Sequence, residues 1–346
     1  MKTFILCMLV LLTAFFAACE VSTPVSDPDN DVEQFINYTG DENEIYKVFK
    51  DKNGIYYARV FVEGKTNFEK EGKEYVEIIE DQSHSFYNKL PANFIIPQNE
   101  TITYDWKTYE IYGIHSYAFE NCSSLKRIEI CNPVDHIAHY AFKNSGVEEL
   151  TIGNSVRGIG EGAYSGCSRL KTVTLGLNVS GFGESPFADC PNFTTLNFNC
   201  RRLSVPDVFR PKAYPIFPSS ITTLNIGKEV EIIPSYIFFN LNQLKTVTIP
   251  ASVKEIGSYA FGECESIASI RFESSIPPNN DRGADYYPHV ANHFLIGMTP
   301  DYKYYYCYVD QNEGLRPAVI YVPKGSRNAY RNSPFMRNIW NEIIEE

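Results

Sequence analysis

The sequence is short of basic charge. Lys and Arg number 31 against 42 Asp and Glu, for a formal net charge of −11. Nucleic-acid binding is driven by clustered cations that displace counterions from phosphates, so this deficit argues against a DNA or RNA partner. Beyond the N-terminal leader, no stretch is apolar enough to cross a bilayer. Short catalytic signatures are missing as well: there is no G-x-S-x-G, no H-E-x-x-H and no P-loop. No C-x-x-C pair offers zinc-ligand spacing. With Ser, His and Asp scattered along the chain, neither enzymatic activity nor a cofactor or metal is expected.

What is present describes an exported, well-packed protein. Hydrophobic residues make up 44% and charged residues 21% of the 346, enough to bury a sizeable core. The opening, "MKTFILCMLVLLTAFFAACE", has one Lys, an apolar run and small residues before Cys19, which is the form of an export signal. Its end, Phe16-Ala17-Ala18-Cys19, resembles the bacterial lipobox, with Phe16 standing where Leu is usual. That resemblance implies that residues 1–18 are removed and that Cys19 is lipidated, giving a firm outer-membrane anchor. The other reading is a plain secretory signal cut near Ala18. Residues 19–34, rich in Asp, Glu, Pro and Ser, read as a flexible acidic tether. The acids after Cys19 also resemble the surface-export signal of Bacteroidetes lipoproteins, which implies display on the cell surface.

The body of the chain repeats itself. Aligning on the aromatic of an "AF"-like dipeptide gives Phe119, Phe142, Tyr164, Phe187, Phe209, Phe238 and Phe261, spaced 23, 22, 23, 22, 29 and 23 residues apart. Five residues earlier stand Ile114, Ile137, Ile159, Phe182, Ser204, Ile233 and Ile256. Nine and eleven residues later come apolar pairs such as Ile128 and Ile130, Val173 and Leu175, or Val247 and Ile249. A fixed period of this length marks a solenoid, because no coil can bury its own apolar face. "LKTVTIP" alternates like a short strand stopped by Pro, and "IGSYAFGEC" has helical spacing over about a turn. Each coil is therefore expected to hold a strand, a turn and a short helical return, with the strands stacked into a parallel sheet.

The pattern I-G-x-x-A-F-x-x-C-x-x-L-x-x-V-x-I-P resembles the BspA-like leucine-rich repeat family over about residues 100–335. The resemblance implies an α/β solenoid, a right-handed superhelix of about seven coils of 22–29 residues on residues 113–276. It also implies a cell-surface setting, often linked to adhesion, and supplies no catalytic residues. Residues 35–112, with runs such as "GIYYARVFVEG", read as an N-terminal β cap. Residues 317–346 resemble the family's usual ending of a strand, a Val-Pro-Lys-Gly turn and a helix, with Ile339 and Trp340 covering the last coil.

Cys122, Cys167, Cys190 and Cys264 each follow the repeat aromatic by three, a slot that elsewhere holds Ser145 and Leu241. The slot thus wants a small or apolar buried group, and these read as structural thiols rather than disulfides. Asp285, His289 and His293 have one-face helical spacing, but the flanking Pro and Gly favour ordinary loop residues. His136 and His139 read as surface residues in a turn.

Two surfaces remain as binding candidates. Strand alternation points one row outward: Glu129, Thr151, Thr174, Asn197, Asn225, Thr248 and Arg271. The adjoining row runs from Arg127 and Glu149 through Thr172, Thr195, Thr223 and Thr246 to Ser269. Such residues suit any solvated sheet, yet they also form a ladder of hydroxyls and amides fit for a protein strand or a glycan. The second candidate is the insertion 277–316, with Tyr286, Tyr287, Phe294, Tyr302, Tyr304, Tyr305, Tyr306 and Tyr308. Long loops on a rigid scaffold often carry binding, and Tyr offers contact area and a hydroxyl at small entropy cost. The loop from Phe209 to Ser220, with Tyr214 and Phe217, is a third and weaker candidate. The expected function is a surface-anchored monomer that binds an extracellular protein, with a glycan-binding accessory lipoprotein of a carbohydrate uptake system as the alternative.

Overall fold

The computed structural model describes residues 32–39, 45–51, 56–60, 74–78, 92–96, 101–104, 107–203, 215–280, 296–298, 304–306, 318–333, 336 and 342–346, with 132 and 258 excepted. Within them the period seen in the sequence becomes a stack. The alternating segments form parallel strands Asn93–Ile96, Arg127–Ile130, Glu149–Ile152, Thr172–Leu175, Thr195–Phe198 and Thr223–Ile226, a six-stranded sheet. Thr246–Ile249, Ser269–Phe272, Val319–Val322 and Ile343–Glu345 form a four-stranded sheet in the same manner. Register puts like over like: Ile128, Leu150, Val173, Leu196 and Leu224 lie side by side, all buried.

A second ladder runs beside the first. The end of Lys107–Ile114 pairs with His136–Ile137, then Gly158–Ile159, then Gly181–Phe182, all in parallel. Ile232–Ile233, Glu255–Ile256 and Asn279–Asn280 continue the pattern as a separate sheet. At the N-terminal side, Val32–Thr39, Ile45–Asp51, Tyr56–Val60 and Glu74–Ile78 pair antiparallel in sequence order. The last of these joins Lys107–Ile114 in parallel and so leads into the ladder.

The described chain is thus a parallel-strand β-solenoid of about eight turns with little helix, which corrects the expected α/β class and the count of seven. The segments with helical spacing fold as successive tight turns instead. In the coil of Phe119, Ala118, Glu120 and Cys122 donate to carbonyls three residues back, at 3.2, 3.1 and 3.2 Å. Tyr117 and Asn121, both at φ 61, reverse the curl between these turns and prevent a helix from propagating. Their N–H groups point to the next coil instead, to His139 O at 3.1 Å and Lys143 O at 2.8 Å. The same left-handed pair recurs at Tyr140 and Asn144, Gly162 and Gly166, and Ser185 and Asp189. So close is the stacking that a Cβ on Gly160 would sit 2.7 Å from backbone atoms of Ala138 and His139.

A column of aromatic rings fills the core. Centroid separations run 4.5 Å from Phe119 to Phe142, 5.0 Å to Tyr164 and 5.4 Å to Phe187. The next ring is Phe217, 5.9 Å on, followed by Phe238 at 6.2 Å and Phe261 at 5.2 Å. Phe217 therefore holds the place that spacing alone assigns to Phe209, which lies outside the described residues. Leu203, buried beside the bridge of Arg202 to Ile232, likewise takes the place assigned to Ser204. The extra residues of this coil fall before its ring, where counting from Phe187 puts them after it.

This coil also interrupts both ladders. Thr223–Ile226 and Thr246–Ile249 are consecutive strands but belong to different sheets, and Gly181–Phe182 ends the run of short strands. At the C-terminal end the only helix among the described residues, Arg327–Arg331, is followed by the strand Ile343–Glu345. Its Tyr330 is fully buried, with its ring 5.2 Å from Phe272 and its hydroxyl donating to Ser274 O at 2.8 Å. Ile339 and Trp340 lie outside the described residues.

Candidate functional site

Alternation in each strand sends one residue in and the next out, and parallel register turns the outward residues into straight rows. Thr151, Thr174, Asn197 and Asn225 are register partners across the six-stranded sheet, continuing the row from Glu129. Their side chains bond along the row: Asn197 Nδ2 donates to Thr174 Oγ1 at 2.9 Å, and Asn225 Nδ2 to Asn197 Oδ1 at 2.8 Å. Thr248 and Arg271 pair with each other in the four-stranded sheet. Arg271 is engaged at its far end, ion-paired with Glu346 and lying 5.0 Å from the centre of the Tyr321 ring. In the adjoining row Arg127 and Glu149 form an ion pair of 2.5 Å, while Thr172, Thr195 and Thr223 follow without charge. The middle of the face is therefore neutral, polar and partly pre-bonded.

Of the insertion, Tyr304–Tyr306 form a short strand antiparallel to Ile296–Met298. Tyr286, Tyr287, Tyr302 and Tyr308 lie outside the described residues, as do Asp285, His289, His293, Tyr214 and Cys19. Phe217 is 2% exposed and belongs to the ring column, so this member of the third candidate is core.

The thiols of the repeat slot sit in the core. Cys167 donates to Phe142 O at 3.1 Å, Cys190 to Tyr164 O at 3.2 Å and Cys264 to Phe238 O at 3.1 Å, each the ring residue of the coil before. Burial pushes Cys167 up to about 11 and Cys122 and Cys200 up to about 12, so they stay protonated and unreactive. Cys131, Cys167, Cys190 and Cys200 are free thiols. No group of His, Cys, Asp and Glu among the described residues could hold a metal ion. His136 proves to be half-buried: its Nε2 lies 3.0 Å from Glu77 Oε1, and its ring fills the space a Cβ on Gly113 would need. His139 is exposed, and its Nδ1 accepts the Glu161 N–H at 3.2 Å.

One feature was missed in the sequence: a pair of outer tyrosines at the left-handed turn positions. The rings of Tyr117 and Tyr140 stack with centroids 5.4 Å apart and planes 19° from parallel. Tyr140 donates its hydroxyl to Glu161, which raises its pKa because the neighbouring carboxylate holds the phenol's proton. Tyr236 and Tyr259 repeat the stack at 5.1 Å and 4°, but there Tyr259 is only 5% exposed and packs with Phe239. The signal in the sequence is the recurrence of Tyr two residues before the ring.

A family model described as "BspA type Leucine rich repeat region" matches residues 82–207 and 214–281, in 6 copies. Among solved structures, a leucine-rich repeat protein of T. pallidum shares 18% identity with a TM-score of 0.27, over 57% of this chain and 63% of that one. The chain thus spans less than two thirds of that protein. A leucine-rich cell surface protein of Faecalibacterium prausnitzii shares 16% identity with a TM-score of 0.33, over 83% of this chain and 70% of that one. A leucine-rich repeat protein of Bacteroides ovatus shares 16% identity with a TM-score of 0.25, over 84% of this chain and 98% of that one. No curated protein matches.

Proposed function

The chain belongs to the BspA type leucine-rich repeat family, and from that premise we propose that it is a surface-displayed recognition module that binds a protein ligand through the outer face of its six-stranded sheet. The observation that carries this is the row Thr151–Thr174–Asn197–Asn225, held in register, with Thr174, Asn197 and Asn225 linked by their own amides. Such a row is pre-ordered, so a partner that lies along it loses little side-chain entropy on the protein's part. A polypeptide laid across the row offers backbone N–H donors and C=O acceptors to these hydroxyls and amides.

Surface display rests on the leader and on lipidation of Cys19. Labelling with a palmitate analogue should mark the wild type and leave Cys19→Ser unmarked; label on Cys19→Ser would remove the anchor. For the binding face, the mature chain is tested on an array of extracellular proteins. The double variant Thr174→Lys, Asn197→Lys should lose at least tenfold in affinity for any ligand found while its unfolding midpoint stays close to wild type. Undiminished binding would discard the face. The parallel variant with Tyr304, Tyr305 and Tyr306 changed to Ala asks the same of the insertion.

A second reading, glycan binding, is favoured by the Tyr117–Tyr140 stack, in which Tyr117 is exposed and Tyr140 half-buried. Sugars are held by a compact set of aromatic rings with polar neighbours, and this pair has that form.

A further inference from the structure

We propose that the Tyr117–Tyr140 pair is a binding subsite for one neutral pyranose ring of a saccharide, separate from the sheet face. It rests on the glycan reading above and names its site. The argument begins with backbone conformation. Tyr117 and Tyr140 stand at φ 61 and 56, where residues with a Cβ are disfavoured. The same turn position in the next two coils holds Gly162 and Ser185. The fold therefore has no need of a ring at this place. In the later stack Tyr259 is covered, to 5% exposure, and packs with Phe239, while Tyr236 is half-buried against them. Tyr117 is 41% exposed, one of two exposed large hydrophobic residues among those described, the other being Ile276.

The pair is also rigid. Tyr140 lies against Gly162, where a Cβ would come within 2.3 Å of its Cε1, and its hydroxyl is bonded to Glu161. Tyr117 rests on Tyr140 and donates its N–H to His139 O at 3.1 Å. A ring already fixed loses little freedom when it is covered.

Surroundings choose the occupant. A protein hot spot needs several apolar anchors sealed from water, and the only other exposed large apolar side chain among the described residues, Ile276, stands several coils along. The turns of the two coils that carry the pair bear polar groups instead. Glu120 and Lys143 pair at 2.9 Å, Asn144 Nδ2 donates to Asn121 Oδ1 at 3.3 Å, and His139 is exposed. A pyranose offers the matching chemistry. Its C–H face lies against the electron-rich ring, and its hydroxyls reach amide, imidazole and carboxylate groups at the rim. The flanking ion pair is internally neutral, which suits an uncharged sugar.

The test titrates the mature chain with maltotriose, cellotriose and lactose by calorimetry, beside Tyr117→Gly, Tyr117→Asn, Tyr117→Trp and the double Lys variant of the sheet face. Gly and Asn both accept the left-handed conformation, so each keeps the fold while removing the ring, as an unchanged or raised unfolding midpoint would show. Expected is binding of at least one saccharide by wild type, a tenfold or greater loss in Tyr117→Gly and Tyr117→Asn, and retention in Tyr117→Trp and in the sheet-face variant. Saccharide binding that survives in Tyr117→Gly and Tyr117→Asn overturns this site and leaves the glycan reading standing. No binding of any of the three sugars by wild type overturns the site, while the protein-binding reading keeps its own test.

Discussion

Cys167 shows what a single slot of the repeat demands. Its side chain fits among the rings and offers one proton to the carbonyl of Phe142. A thiol does this when neutral, and burial keeps it so, raising its pKa from 9.0 to about 11. The unfolded chain has no such preference. Its thiols ionise first as pH rises, so the stabilisation from burying the neutral form is fully present below pH 9.0 and is lost as pH climbs through about 11. Urea unfolding midpoints should therefore fall between pH 9.0 and about 11, and the fall should be shallower in Cys167→Ala. Equal slopes in the two proteins would refute the assignment. The role of this slot was legible in the sequence, because Ser145 and Leu241 share it with the cysteines. The place of Phe217 was not. Periodic counting locates a slot only when no residues are inserted before it, and a Phe reached by spacing cannot be told from one reached by burial.

At the scale of one coil, the turn region is where sequence and structure part company. Apolar residues spaced three and four apart fit a helix, but they fit successive three-residue turns equally well. What decides between them is a left-handed residue on each side of the ring, and Tyr117 or Tyr140 does not announce that conformation as Gly162 does. The strands were easier to read, since alternation alone separates Val173 from Thr172 and Thr174. For the same reason the sheet-face row was legible and the tyrosine stack was not. Coil-to-coil contact in the turn is backbone against backbone, which gives a sharp test. Gly160→Ala places a methyl 2.7 Å from Ala138 C. The overpacking should cost about 1–3 kcal/mol. Gly158→Ala, whose nearest neighbour would be His136 Cβ at 4.0 Å, should stay within about 0.5 kcal/mol of wild type. Thermal melts of the pair decide it, and an equally stable Gly160→Ala would refute the backbone contact.

For the whole molecule, the coil of Phe217 is the weak point. Both ladders are interrupted there, and the ring separations widen to 5.9 and 6.2 Å before closing again to 5.2 Å. Cooperative units in a repeat array are coupled through neighbour interfaces, so a poor interface divides the array into parts that open separately. Amides of Thr246–Ile249 should exchange with solvent faster than those of Thr172–Leu175, which have hydrogen-bonded strands on both sides. Equal protection in the two strands would show the interruption to be energetically silent.

Elsewhere the joints between coils are interchangeable, and that has a consequence for lineage. Excising residues 160–182, one period of the chain, would join Ile159 to Gly183 in the same phase and reunite the ring of Phe142 with that of Phe187. A gene built this way can lose or duplicate a cassette without redesigning any neighbour, so descendants of differing reach are available by unequal recombination.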